Sequence, residues 1–440
     1  MHRTASILAV GDELILGQKL DTNTRHIAEA LVGRGVRVIE HATVDDEMTL
    51  LTGAITRLAS GADLLVITGG LGPTADDLTR GAVAAAAGVP LVPDASAMAT
   101  LESWFAGRGR PMPEPNRGQA MRPEGGECLD NANGTAPGVW CRVGICDVIA
   151  LPGPPHEMLP MLQRELNIRL ICDPGRVIVA RQIQTFGLGE SDVAQRLGEL
   201  MDRDRDPLIG TTASGGVVSV RIRCERAGSA AKAERLIDAD EARVRRCLGP
   251  AVFHVGQEDD AMERAVLGLL GERGQTLGTV ESCTGGGLGG RLTGVPGSSD
   301  VFVGGLVTYT DELKSRLAGV DAAMIERHGA VSRETAVEMV QRGRERLGCD
   351  FALAITGVAG PGGGSEDKPV GTVWIAVAGG SAGGGASGVA TEARRFVFAG
   401  GRDAVRNRAS MAALGMLRLR LMGEEMDLLW QAERWHAGRG

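Results

Sequence analysis

Near-continuous apolar runs alternate with stretches of helical period over the first 170 residues. TASILAV (4–10), VRVIEHATV (36–44) and DLLVITGG (63–70) predict buried strands. DTNTRHIAEALVGRG (21–35), MTLLTGAITRLAS (48–60) and LTRGAVAAAAG (78–88) predict the helices that separate them. Strands apolar on both faces, with helices between, argue for a parallel, doubly wound α/β sheet. LPGPPHEMLPMLQRELNIRL (151–170) closes this unit, so a first domain is expected over 1–172.

The pattern then changes. VIVARQIQTFG (177–187) and VVSVRIRCE (217–225) read as strands, ESDVAQRLGELMD (190–202) and SAAKAERLIDADEARVRRCLG (229–249) as helices, which gives a small α+β module over 173–254. A third domain, 255–423, opens with the helix DDAMERAVLGLLGERG (259–274). Its predicted strands are 276–281, 302–310, 350–357, 371–379 and 393–400, and its later helices 332–348 and 402–421. The Gly/Ser-rich stretch 379–388 reads as a flexible connection between adjacent strands, and the tail 424–440 carries no pattern.

Composition sharpens this picture. A chain of 440 residues, 43% hydrophobic and 23% charged, fits about three globular domains and excludes disorder and fibre. The net charge of −8 argues against a general nucleic-acid binder. The 65 glycines have no collagen period and suit the tight turns between strands and helices. Eight cysteines, none in C-x-x-C, read as reduced thiols. With no basic-then-apolar leader and no apolar run of bilayer length, a cytoplasmic protein without membrane attachment is expected. Only four lysines occur, Lys19, Lys232, Lys314 and Lys368, and one tyrosine, Tyr309. Where the chain needs a positive charge it uses arginine, so each lysine invites a chemical question.

The first candidate chemistry lies in TGGLGPTADDLTR (68–80), between a strand and a helix. Gly69, Gly70 and Gly72 let backbone N–H groups approach an anion, with Thr74 in the same loop and a helix N-terminus behind it. Asp76 and Asp77 are candidate ligands for a hard divalent cation such as Mg²⁺. GDELILG (11–17), with Gly11, Asp12 and Glu13, and the pair Asp45 and Asp46 leave their strands at the same carboxyl edge, where open α/β sheets bind ligands. The alternative is that the aspartates cap helices and the glycines only turn the chain. NANGTAPGV (131–139) and LPGPPHEM (151–158) add two further loops, and His156 reads as helix surface.

These motifs resemble the N-terminal half of the CinA competence/damage-inducible family, itself similar to molybdopterin-binding domains of the MoaB/MogA type. The resemblance implies a nucleotide-diphosphate ligand and metal-dependent hydrolysis of ADP-ribose. In related domains the same fold only binds pterin nucleotides. The middle stretch resembles the family's KH-like module. Its only G-x-x-G-like sequence is GLGE (187–190), in acidic surroundings, so it reads as a spacer or dimer element without RNA binding.

In the third domain ESCTGGGLGG (281–290) offers Ser282 and Cys283 as nucleophiles. For a cysteine, His328 is the nearest candidate base in sequence; for a serine, lysine is a known choice. VTYTDELKSR (307–316) supplies Tyr309 and Lys314, five residues apart, and a buried lysine can shed a proton that arginine keeps. The alternative makes Tyr309 a half-buried strand aromatic and Lys314 a surface helix residue. Arg402 and Arg406, one helical turn apart, can grip a phosphate or simply face solvent.

ESCTGG, GSS (297–299), VTYTDELK, HGAVS (328–332), TGVAGPGGGSEDKPVGTVW (356–374) and GRDAVR (401–406) resemble the CinA C-terminal domain, a nicotinamide mononucleotide deamidase that also occurs as a stand-alone enzyme. The resemblance implies Ser282 as nucleophile, Lys314 as base and Tyr309 as assisting hydroxyl, with no cofactor. Asp311 departs from the pattern, standing where the family usually has Asn. Oxyanion donors are expected in the turn Thr284, Gly285 and Gly286, and substrate contacts from Thr356, Gly357, Gly360, Arg402 and Arg406. The expected partners are small nucleotide substrates, and the family suggests a homodimer. The rival reading is a non-enzymatic competence factor that binds partner proteins.

Overall fold

The computed structural model describes residues 1–173, 175–256, 258, 260–381 and 389–432. The chain forms two compact units, Met1–Val179 with Cys224–Leu236, and Ala180–Arg223 with Ile237–Gly440. Among the described residues no helix is long and apolar enough to cross a membrane.

In the first unit the strands are β1 (Thr4–Val10), β2 (Arg37–Val44), β3 (Leu64–Thr68), β4 (Leu91–Pro93), β5 (Met121–Pro123), β6 (Glu127–Leu129), β7 (Gly138–Val143) and β8 (Cys146–Leu151). Six of them make one sheet in the order β2-β1-β3-β8-β7-β6, while β4 and β5 pair separately. Side chains alternate across β1 and β3 into two cores. Leu8, Val10, Leu65 and Ile67 meet Leu51, Ile55, Leu58 and Val83 on one face. Ile7, Leu64 and Val66 meet Ile27, Leu31, Met158 and Leu162 on the other. Each such fully buried Leu or Ile contributes roughly 1.5–3 kcal/mol, and two covered faces are why these strands read as unbroken apolar runs.

The parallel sheet expected from sequence holds for β2, β1, β3 and β8. It fails at the edge, where β8 pairs antiparallel with β7 and β7 with β6. The cause is local: Val143 pairs with Cys146, and Gly144 at φ 62° closes a hairpin too short for a crossover. The helices Asn23–Val32, Met48–Gly61, Thr79–Ala87 and Pro155–Arg169 lie within the predicted stretches or one residue beyond them.

The second unit contains a four-stranded sheet ordered β10-β11-β9-β12, with β9 (Val179–Phe186), β10 (Leu208–Ser214), β11 (Val217–Cys224) and β12 (Val252–Val255). Its larger sheet is ordered β14-β13-β15-β16-β17, with β13 (Leu277–Glu281), β14 (Phe302–Val307), β15 (Phe351–Gly357), β16 (Thr372–Ser381) and β17 (Val389–Val397). β14, β13 and β15 are parallel; β16 and β17 continue antiparallel. One face of this sheet is built from small residues, Ala352, Ala354, Ala376 and Ala378, under the helix Arg333–Leu347. A Cβ at Gly343 of that helix would lie 2.2 Å from Val280, so the close approach requires glycine there. The other face packs Leu353, Ile355, Val373 and Ile375 against the helices Ala261–Gly271 and Arg402–Met422.

The connection 382–388 lies outside the described residues, as do the last residues, 433–440. The tail that carried no sequence pattern is ordered as far as it is described. Val397 N–H donates to the Trp430 carbonyl at 3.0 Å, Ala432 N–H to Arg395 at 2.9 Å, and Leu429 N–H to Gly187 at 2.9 Å. Leu428 is buried and Trp430 packs edge-on against Phe398, so the segment straps the sheet edge to the turn after β9.

Candidate functional sites

Register brings the carboxyl ends of β2, β1, β3 and β8 together, because Val10 pairs with Val44, Ala9 with Thr68 and Thr68 with Leu151. The four loops that leave these ends and neighbouring positions enclose a cleft of about 370 Å³. It is lined by Gly11, Glu13 and Asp46, by Gly69 to Pro73 with Asp76 and Asp77, by Thr135 and Ala136, and by Pro152 to Pro154 with Glu157. The motifs GDELILG, TGGLGPTADD, NGTAPG and LPGPPHEM, scattered over 150 residues, therefore converge on one hollow.

Glycine is required in the second loop. Gly69 has φ 105° and Gly70 φ 66°, and a Cβ on Gly69 would stand 2.2 Å from the Val10 carbonyl. Asp77 organises that loop: it accepts from Gly72 N–H at 2.7 Å, from Thr74 N–H at 2.8 Å and from the Thr74 hydroxyl. Both its oxygens are thus taken up by the loop, which sets it apart from the other metal-ligand candidates.

Asp12, Asp45 and Asp46 form a linked carboxylate group. Asp12 N–H donates to Asp46 at 3.0 Å, and Asp46 N–H donates to Asp12 at 3.1 Å and Asp45 at 3.0 Å. A hydrogen bond between the Asp12 and Asp45 carboxyl groups lowers the first and raises the second. Burial, with the negative charge of Asp12 and Asp76 nearby, pushes Asp46 up to about 6. Among the described residues no three His, Cys, Asp or Glu side chains converge as a ready-made metal site. The crowding of like charge nonetheless fits a cation that is completed by ligand oxygens, as Mg²⁺ commonly is. His156 is exposed and lies on the surface of its helix.

Several supporting residues escaped the sequence reading. Gln119, fully buried, donates to the Leu71 carbonyl at 3.3 Å. Asn131 donates to the Ala136 carbonyl at 3.0 Å and to Glu157 at 2.6 Å. Asn23 donates to Thr68 at 2.9 Å and the Gly153 carbonyl at 2.7 Å, joining two loop bases. A polar amide just before or after Gly/Pro loops was the available signal.

In the second unit the parallel trio β14-β13-β15 builds the other site. Glu281 pairs with Val307 and Ile355. The next positions, Ser282, Thr308 and Thr356, therefore stand in one row at the carboxyl ends. Ser282 N–H donates to the Ile355 carbonyl at 2.9 Å and Thr308 N–H to the Glu281 carbonyl at 2.7 Å, which fixes the row. The turn after Ser282 needs glycine, since Gly285 and Gly286 have φ 61° and 88°. Glu281, buried and unpredicted, holds the following helix by accepting from Leu288 N–H at 3.0 Å and Gly289 N–H at 2.7 Å.

This geometry revises the expected oxyanion donors. Gly285 N–H is committed to the Ser282 carbonyl at 3.0 Å and Gly287 N–H to Thr284 at 3.1 Å. Among the described residues the N–H groups of Thr284 and Gly286 have no backbone acceptor.

Ser282 is 7% and Lys314 2% exposed, so the surface-helix alternative for Lys314 does not hold. Lys314 opens a π-helical turn, Lys314–Ala318, which Gly319 ends at φ 80°. Its Nζ donates to Asp311 Oδ1 at 3.1 Å and, among the described residues, makes no hydrogen bond to Ser282. Burial pushes the Cys283 thiol up to about 12, with Lys314 and Arg402 close enough to act on it in the opposite sense. A thiol held protonated in this way is a poor nucleophile. His328 is exposed, 3.9 Å from Glu334.

Tyr309 is 53% exposed and its hydroxyl is held by Arg402, away from the orienting role expected between Ser282 and Lys314. Arg402 also donates to the Gly360 carbonyl at 2.7 Å, and Arg406 to the Thr284 carbonyl at 2.9 Å. The two arginines face the loops and are not a free solvated stripe. Thr356 turns its hydroxyl to the Ala330 carbonyl at 2.7 Å, which makes it a loop tie. Gly357 ends β15, where a Cβ would meet Val373 at 2.7 Å.

Comparison with known proteins assigns the class. The probable molybdopterin binding domain family matches residues 6–170, the damage-inducible protein CinA KH domain 180–253, and the CinA C-terminal domain 259–421. The chain is thus a MoaB/MogA-like domain, a KH-like module and a CinA C-terminal domain in series. A CinA-like protein of Frankia casuarinae is 42% identical, over 95% of this chain and 96% of that one. A competence-damage inducible protein of Symbiobacterium thermophilum is 41% identical, over 95% and 99%. The crystal structure of a competence/damage inducible protein from Agrobacterium tumefaciens matches 37% of this chain and 94% of its own, at 38% identity and a TM-score of 0.34. The chain belongs to the CinA, or competence-damage inducible, protein family.

Proposed function

We propose that the C-terminal site hydrolyses the carboxamide of nicotinamide mononucleotide to the carboxylate and ammonia. The observation that supports this reading best is a lysine 2% exposed, one of only four in the chain, close enough to Cys283, the residue after Ser282, to act on its thiol. The Ser282 hydroxyl attacks the carboxamide carbon while the neutral Lys314 amine takes its proton. The tetrahedral oxyanion accepts from the free N–H groups of Thr284 and Gly286. Lys314 returns the proton to the leaving nitrogen, ammonia departs, and water then cleaves the acyl-serine to release the acid and restore the hydroxyl. Productive binding has to draw Lys314 from the Asp311 carboxylate, which accepts from its Nζ at 3.1 Å. Arg402 and Arg406 receive the substrate phosphate by exchanging backbone carbonyls for phosphate oxygens. The test is ammonia release from the mononucleotide by the intact chain; no ammonia under any buffer condition overturns the reading.

For the N-terminal cleft we propose a nucleotide diphosphate ligand, with ADP-ribose hydrolysis as its reaction. Asp12, Asp46 and Asp76 would hold a divalent cation, which would supply charge neutralisation of the phosphates and an activated water. Glu13 and Glu157 also line the cleft, so a diphosphate entering without a cation meets only like charge from the lining side chains. Formation of AMP from ADP-ribose, assayed with and without Mg²⁺, tests this; tight binding with no AMP reduces the site to a binding module.

A further inference from the structure

Arg80 follows the Gly-rich loop directly, as the second residue of the helix Thr79–Ala87, and is 5% exposed. Its hydrogen bond runs from Nη2 to the Pro137 carbonyl at 3.2 Å, and its Nε, also buried, has no partner. Among the described residues no carboxylate lies within ion-pair distance of it. Its neighbours are the Cys128 thiol, which burial pushes up to about 11 and so keeps neutral, and, further off, Asp77. Burial alone disfavours the charge and lowers Arg80 to about 10, still well above neutral pH, so the guanidinium stays cationic.

A buried, unpaired cation is costly, and replacing such a charge by an apolar side chain of similar volume is often neutral or stabilising. The position is informative. Thr79 binds the Gly69 carbonyl at 2.8 Å at the base of one ligand loop, and Arg80 binds Pro137, next to Thr135 and Ala136 of another. The cleft wall thus has acids on its surface and one fixed positive charge behind it.

We infer that Arg80 is an anion-positioning residue of the N-terminal cleft: its buried charge, acting through low-dielectric protein, offsets the acidic lining and draws a diphosphate group against the loops 69–74 and 134–137. This role of Arg80 depends on the ligand proposed above for that cleft. Water screens the acids at the surface, but not a charge enclosed behind the loop, so the single cation acts at longer reach than its number suggests.

The test uses the full chain with ADP-ribose and with inorganic diphosphate, each with Mg²⁺, and measures affinity beside thermal midpoint. Arg80→Met is expected to leave the midpoint unchanged or raise it, while weakening both ligands by about tenfold or more. Arg80→Lys, which keeps the charge, is expected to retain most of the affinity. Wild-type affinity in Arg80→Met overturns the inference, and so does an equal loss in both variants, which would mean geometry and not charge. A lowered midpoint with unchanged binding assigns Arg80 to the fold alone. If the wild-type chain binds neither probe, the ligand reading itself falls and takes this inference with it.

Discussion

Acidic side chains from four segments line the N-terminal cleft, and one of them, Asp46, is pushed up to about 6 by burial and its neighbours. At the C-terminal site the corresponding loops are held by arginines: Arg402 on Gly360 and Tyr309, Arg406 on Thr284. Both sites lie at the carboxyl ends of parallel strands and both use left-handed glycines to bring backbone close. Their charge is opposite. In the reading proposed above, one cleft takes a cation with its phosphate ligand, and the other carries its cations on a helix. Similar sheet edges have therefore been given different electrostatics by a handful of residues, and the chemistry follows those residues and not the fold.

The largest effects should come from the C-terminal pair. Ser282→Ala is expected to lower ammonia release by ~10³-fold or more, since the adjacent Cys283 thiol is held protonated and does not replace it. Lys314→Arg keeps the charge and removes the base, and should lose nearly as much. Neither change should alter ligand binding in the N-terminal cleft. An active Lys314→Arg enzyme would remove lysine from the mechanism while leaving the serine in place.

A medium effect separates the two regions by pH. The raised Asp46 means that its proton is held in the folded cleft and lost as the pH rises through about 6. The sign for stability follows: its protonated form favours the fold at low pH, and that contribution fades as the pH rises through the folded value. Cation binding runs the other way and needs the carboxylate. Mg²⁺ affinity of the N-terminal cleft should fall as the pH drops below about 6, and Asp46→Asn should flatten that dependence. Calorimetric titration at several pH values checks this, and a profile identical in wild type and variant would detach Asp46 from the cation.

Much of this was legible along the chain because the signals were local. β1 and β3 are mostly apolar, and β3 and β13 run into Gly-rich turns, so strand, loop and site could be read together. The antiparallel edge β6–β7 could not, because β6 spans three residues and the hairpin depends on Gly144. Lys314 drew notice through the scarcity of lysine and the family resemblance; its burial, at the start of a π-helical turn, is tertiary. Asp311 sits three residues before Lys314, a spacing that brings side chains together on a helix, so their contact was readable. Arg80, Gln119 and Glu281 passed unnoticed, since a polar residue beside a loop looks solvated until the fold closes over it. Trp430 lies in a segment with no period and gains meaning only from Phe398 and Gly216.

The smallest effect concerns Tyr309, and it distinguishes two roles for one hydroxyl. If the phenol relays or orients a proton between Ser282 and Lys314, Tyr309→Phe lowers kcat. The geometry points elsewhere: the ring is half exposed and the hydroxyl accepts from Arg402, the same guanidinium that reaches Gly360. Its removal frees one arm of that arginine and loosens the phosphate grip without touching the reacting atoms. The expected outcome is a KM raised by about two- to fivefold with kcat nearly unchanged, the pattern of a lost uniform binding contact. Arg402→Lys should raise KM further, because an ammonium is a point charge without the planar fork that meets Tyr309 and a phosphate in fixed geometry. Steady-state kinetics on the mononucleotide decide it, and a drop in kcat at constant KM would return Tyr309 to the proton path.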